Sequence, residues 1–226
     1  MQGEKEVKKI TKDKSPQWFE KWKKDFENDN GVKPHYEPDF SNESQESGLR
    51  RQKLRKQLVN EQGGICCYCM GRINVSNSHI EHFWPKKDFR EMDLDYNNLF
   101  ASCNGNYHDE DYCGHKKEDW WINHMISPAE EDAEKVFVYT EDGRISVKKD
   151  DSRADVAQKM IENFGLKSYH LERNRREAIE ASEVYDDVEY TDDDIRQFIE
   201  FYYEKQDGQY IPYCKAIADC LQRMIL

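Results

Sequence analysis

ICCYCMGRINVSNSHIEHFWPKKDFREMDLDYNNLFASCNGNYHDEDYCGHKK, residues 65–117, holds five of the seven cysteines in the chain, and the other segments are interpreted around it. Cys66 and Cys69 have the two-residue separation that turns both thiolates of a knuckle toward one tetrahedral Zn²⁺. Redox chemistry also uses this spacing, but there a strand leads in and a helix begins at the motif. Here Gly63-Gly64 precedes it, and residues 70–73 read as the return strand of a knuckle. The second half of a zinc site is then expected downstream. Cys103 and Cys113 supply it, though nine residues rather than two lie between them. A Cys₄ site of Cys66, Cys69, Cys103 and Cys113 would staple a segment below about 60 residues, which is too short to bury much core by itself. Cys67, Cys214 and Cys220 read as small core residues.

Between the cysteine pairs lies His79-Ile80-Glu81-His82-Phe83-Trp84-Pro85. On a strand, neighbouring side chains face opposite ways, so one of Glu81 and His82 can ligate a metal while the other acts as a base. His79, two residues before Glu81, falls on the same face. Asn98 is expected to open a helix through Leu99 and Ala101 that carries Cys103 back to the zinc, and Asp95 is a candidate cap for it.

The whole chain has 226 residues, 37% hydrophobic and 35% charged, with 13 Tyr, 10 Phe and 5 Trp, enough aromatic surface for a packed core. No run of about 18 apolar residues exists to span a membrane, and MQGEKEVKKI lacks a secretory core. Cytoplasmic placement with no membrane partner is therefore expected, and seven cysteines in that compartment point to metal or redox chemistry rather than disulfides. The net charge of −12 argues against a protein that coats nucleic acid indiscriminately. The charge is unevenly placed: residues 1–60 carry 14 basic and 11 acidic side chains, and residues 61–226 carry 20 and 35.

The stretch GLRRQKLRKQLVN (48–60) has five basic residues and no acid and reads as an amphipathic helix with Leu49, Leu54 and Leu58 near helical spacing, stopped by Gly63-Gly64. Arg50, Arg51, Lys53, Arg55 and Lys56, with Lys116 and Lys117, are the candidates for contact with a phosphate backbone. Upstream, Trp18, Phe19, Trp22 and Phe26 form a helical stripe, and residues 30–48 read as a polar linker. Downstream, residues 136–148 predict a hairpin turning at Asp142-Gly143. Helices are expected over 154–164, 168–185, from Thr191, and over 212–224. The fold class is α+β, in three segments: 1–48 with N-terminal helix and linker, 49–126 with the cysteine-rich core, and 127–226 with the hairpin and a mostly helical lobe.

The order CxxC, Glu-His-x-x-Pro, Asn-Leu and Cys…Cys-x-His-x-Lys resembles HNH endonucleases with a zinc-stapled ββα-metal core. The wording Glu-Gln-Gly-Gly-x-Cys-x-Tyr-Cys, Ile-Glu-His-Phe-x-Pro, Leu-Asp-Tyr-Asn-Asn-Leu and Ser-Cys-Asn-Gly resembles the PtuB nucleases of Septu and retron-associated anti-phage systems. The resemblance covers about residues 50–120. It implies that His82 is the general base, that Asn98 orients it, and that Glu81 ligates a catalytic divalent metal, Mg²⁺ or Mn²⁺. The last motif position falls on His115 as second ligand. The inserted NGNYHDEDY (104–112) makes His108 a competitor, and His79 is a further alternative. Cleavage of nucleic acid, DNA first, in complex with a PtuA-like ATPase is the implied function. The alternatives are an HNH ribonuclease acting on tRNA and a non-catalytic zinc-stabilised binding module.

Overall fold

A computed structural model describes residues 9–182 and 190–225. Helix α1 (Gln17–Asn30) begins after Pro16 and ends at Gly31, whose left-handed φ of 71° closes the helix. Phe19 is its one fully buried side chain, with Trp18 and Trp22 packed beside the core. The 30–48 stretch is more ordered than its composition predicts: Tyr36–Phe40 forms a helical turn that buries Tyr36 and Phe40. Phe40 stacks edge-on against Phe19 and Trp22 at 5.3 and 5.1 Å. Helix α2 (Gln45–Glu61) starts earlier than its basic run, because the Ser44 side chain caps the Ser47 amide. It buries Leu54, Leu58 and Val59, while Leu49 stays exposed. Leu49 lies five residues from Leu54 and so falls off the buried stripe.

After the knuckle, β1 (Ser78–His82) pairs antiparallel with β2 (Leu99–Cys103), Glu81 opposite Phe100 and His82 opposite Leu99. The expected helix through Leu99 and Ala101 is therefore a strand. Tyr96–Asn98 makes one tight turn, capped by Asp95, and then Leu99, Phe100 and Ala101 run fully buried. A short continuous apolar run carries no period that separates a buried strand from a helix. A small ribbon, β3 (Asn106–Tyr107) with β4 (Glu110–Asp111), occupies the insertion between Cys103 and Cys113. Helix α3 (Cys113–Lys117) comes immediately after it.

The C-terminal part matches expectation closely. It comprises the hairpin β5 (Phe137–Tyr139) and β6 (Ile145–Val147), then α4 (Ala154–Asn163) and α5 (Tyr169–Glu180), and finally α6 (Asp192–Tyr203) and α7 (Cys214–Gln222). Thr191 and Asp194 cap each other at the start of α6. The expected helix over 168–185 is seen through Glu180, and its last residues lie partly outside the described ones. No helix among the described residues is long and apolar enough to cross a membrane. Residues from all three segments meet in one hydrophobic cluster. The cysteine-rich middle is tied to the C-terminal elements by backbone: Cys113 N donates to Phe164 O (2.7 Å), and Tyr213 N to Met70 O (3.0 Å). The N-terminal segment is bonded to the rest as well, for example from Ile10 N to Pro128 O (3.0 Å) and from Lys12 Nζ to Leu99 O (2.9 Å).

Candidate functional site

Cys66, Cys69, Cys103 and Cys113 converge, their Sγ atoms all within 4.8 Å of one another. Among the described residues they are the one such gathering of three or more His, Cys, Asp or Glu donors, and as four sulfurs they suit zinc. The knuckle is built by backbone: Met70 N donates to Cys66 O, and Met70 takes a left-handed φ of 60° that turns the chain. Amides aim at the sulfurs, Cys103 N at Cys66 Sγ (3.3 Å) and Gly71 N at Cys69 Sγ (3.4 Å), which favours thiolates. Burial pushes the Cys66 thiol up, but hydrogen bonds within the cluster, first from Cys103 and Cys113, outweigh it and hold Cys66 well below the usual range. Cys113 moves the other way, chiefly by burial. A bound cation would take the place of thiol protons in this cluster. Cys67, beside it in sequence, is half-buried and outside the set.

On β1, Glu81 is buried and His82 nearly so. His82 Nε2 lies 2.9 Å from the Asp93 carbonyl. A carbonyl only accepts, so Nε2 carries the hydrogen and Nδ1 the lone pair. Burial, aided by the Lys86 ammonium, lowers the imidazole pKa to about 4, so His82 is neutral near pH 7. Asn98 does not bond to His82. It clips the loop that holds it: its Oδ1 accepts from Trp84 N (2.7 Å), and its Nδ2 donates to Trp84 O and Met92 O (3.0 Å each). Asn98 therefore reaches His82 through the backbone on both sides, Trp84 and Met92.

Sequence reasoning missed the clasp behind His82. Asp93 Oδ2 accepts from Tyr36 N (3.0 Å) and lies 3.2 Å from His35 Nδ1, while the Tyr36 ring stands edge-on to the His82 ring at 4.5 Å. The partners are 57 and 58 residues apart, so no local pattern signals them. Asp93→Ala is expected to cost about 1–3 kcal/mol, since it leaves the buried Tyr36 amide unpaired. Asp93→Asn, which keeps an acceptor, should cost less. Urea denaturation of the two variants checks this ordering.

Glu81 is fully partnered. Its Oε1 accepts from Tyr68 Oη and Lys117 Nζ, both at 3.0 Å, and its Oε2 faces His79 Nε2 at 3.3 Å. Burial pushes its carboxyl up, but the His79 hydrogen bond and the Lys117 charge outweigh that and leave it below the ordinary value. Lys117, expected as a phosphate contact, is instead buried. Its side chain runs inward, and its ammonium also donates to His82 O (2.9 Å) and Glu118 O (3.3 Å). His115 is exposed beside Asp111 (3.4 Å), and His108 sits at the ribbon turn with φ 53°. Of the three histidines weighed as second ligand, His79 is the one in contact with Glu81.

Gly114 makes the room for that contact. A Cβ there would lie 2.4 Å from Glu81 Oε2 and 2.6 Å from His79 Nε2. The Gly114 amide donates to Ser102 Oγ (3.1 Å), which in turn lies 3.7 Å from Cys66 Sγ, so the cysteine cluster and the Glu81 pair share a wall. Gly114→Ala should cost about 1–3 kcal/mol by overpacking, read as a lowered melting temperature.

Most of the basic helix has structural work. Arg55 Nη1 donates to Val75 O and Ser78 O, Arg51 to Asn42 O and Ser41 Oγ, and Arg50 to Asp39 O. Arg50 also lies over the Trp22 ring and Lys53 over the Trp18 ring. Lys56 and Lys116 are exposed.

No protein-family model matches the chain. It is similar to a protein of Vibrio cholerae serotype O1 biovar El Tor named "Retron Vc95 putative HNH endonuclease", with 28% identity over 132 residues. The match covers 56% of this chain and 63% of that protein, which is less than two thirds of the relative's length.

Proposed function

We propose that the chain is a metal-dependent HNH endonuclease, the cutting subunit of a retron- or Septu-type anti-phage assembly that works with a PtuA-like ATPase. The observation that carries this reading is the pairing of a neutral, tautomerically fixed His82 with Glu81 on strand β1, walled by the four-cysteine cluster. The similarity to a retron-associated protein so named supports it. In this reading β1, β2 and α3 make up the ββα core, and the cysteine cluster holds structural Zn²⁺.

His82 Nδ1, the nitrogen not engaged by Asp93, takes the proton of the attacking water. Glu81 and His79 fit a divalent cation, because Gly114 leaves space where any other residue would place a Cβ. His115, the next residue, is the alternative second ligand. Glu81 and His79 would hold Mg²⁺ or Mn²⁺ there, and the ion would supply charge neutralisation at the scissile phosphate and at the leaving oxygen. Of the basic residues expected to meet a phosphate backbone, Lys53, Lys56 and Lys116 are the exposed ones.

DNA leads on the family resemblance. The test incubates the purified chain, alone and with the ATPase, with plasmid DNA and with total tRNA. Plasmid cleavage that EDTA stops and Mg²⁺ or Mn²⁺ restores supports the proposal. Cleavage of tRNA alone shifts the substrate to RNA, and no cleavage of either under any condition refutes the nuclease reading. Co-purification of the intact chain with the ATPase tests the partner.

A further inference from the structure

The Lys117 ammonium directs all three of its hydrogens at oxygen: Glu81 Oε1 at 3.0 Å, His82 O at 2.9 Å and Glu118 O at 3.3 Å. The side chain has no solvent exposure, and its partner Glu81 is 7% exposed. Glu118 adopts a left-handed φ of 46° directly after α3, a strained conformation for a residue with a Cβ. This backbone turn is where its carbonyl meets Lys117. A wholly buried ammonium with three oxygen partners is the arrangement of a bound monovalent cation, supplied here by the chain itself.

We propose that Lys117 is a resident cation that weakens the hold of Glu81 on a divalent ion, so that firm binding there awaits the negative charge of a substrate phosphate. The inference rests on the proposed role of Glu81 as a cation ligand. Two observations carry it. First, Lys117 neutralises the carboxylate through Oε1, and only Oε2, beside the half-exposed His79, faces the Gly114 cradle. Second, a divalent ion on Oε2 would share one carboxylate with the ammonium of a wholly buried lysine, and burial on that side strengthens like-charge repulsion. With two protein ligands and a repelling neighbour, the ion gains most when phosphate oxygens complete its shell, as Mg²⁺ sites commonly arrange.

The test is Mn²⁺ binding to the zinc-loaded full chain, monitored by electron paramagnetic resonance and calorimetry, with Glu81→Gln as the blank for adventitious surface sites. Lys117→Met, which keeps the length and removes the charge, should bind Mn²⁺ about tenfold or more tightly than the unaltered chain. Mn²⁺ should also raise its melting temperature by more. If Lys117→Met does not fold without metal, the proposal requires Mn²⁺ to restore the fold, and failure to do so overturns it. Equal or weaker Mn²⁺ binding in Lys117→Met also overturns it, while leaving Glu81 a metal ligand. Mn²⁺ binding to neither chain above the Glu81→Gln blank overturns the metal reading of Glu81 itself, and the inference with it.

Discussion

His82→Gln is expected to lower phosphodiester cleavage by about 10²–10⁴-fold, the usual contribution of a positioned general base. Zinc content should stay unchanged and the melting temperature close to that of the unaltered chain. The glutamine amide can still donate to the Asp93 carbonyl, which His82 holds at 2.9 Å, but it offers no basic lone pair. His82→Ala should be equally inactive and also less stable. It leaves that carbonyl unpaired and opens a gap under the Tyr36 ring, which now meets the imidazole at 4.5 Å. The expected penalty is about 1–3 kcal/mol. The two variants together separate chemistry from folding. Cleavage surviving in His82→Gln would remove His82 from the base role.

Cys66→Ser and Cys113→Ser should each lose about one zinc per chain and melt the structure around residues 65–117. The four sulfurs bring together the knuckle, the end of β2 and the start of α3, elements that lie far apart along the chain. Serine is a poor zinc ligand, and a three-sulfur remnant holds the ion far more weakly. In isolated zinc fingers the metal supplies about 10–16 kcal/mol of apparent folding energy, and the larger core here offsets only part of such a loss. Cys67→Ser is the control, since Cys67 adjoins the knuckle but stands outside the cluster. Zinc measured by plasma mass spectrometry, with circular dichroism melts, decides the outcome. Retained zinc and an unchanged melt in Cys66→Ser would refute the four-cysteine site.

The cysteine site was legible because metal geometry imposes spacing on a sequence. The weaker second half turned out to be separated by the β3–β4 ribbon, which lets Cys103 and Cys113 meet across nine residues. The start of α6 was legible through Thr191, a local capping signal that acts within one turn. Strand β2 was not. Leu99, Phe100 and Ala101 form a short apolar run with no period, and only pairing with β1 decides its form. The Asp93 clasp was equally hidden, because it depends on a helical turn 57 residues upstream. Lys117 misled for a different reason: lysines are almost always solvated, and nothing in Cys-Gly-His-Lys-Lys says which of two adjacent ammonium groups turns inward. Packing against Glu81 decides it.

The pair of backbone bonds from Cys113 to Phe164 and from Tyr213 to Met70 limits how this chain can be cut and recombined. Excising residues 65–117 as a transplantable cassette would leave the Cys113 amide and the Met70 carbonyl without their partners at the two bends that present the cysteines. The motif is contiguous in sequence, but its scaffold is borrowed from as far downstream as Tyr213. A chimera that carries it into another protein must therefore bring α4 and the turn before α7 along, or rebuild both bonds in the host.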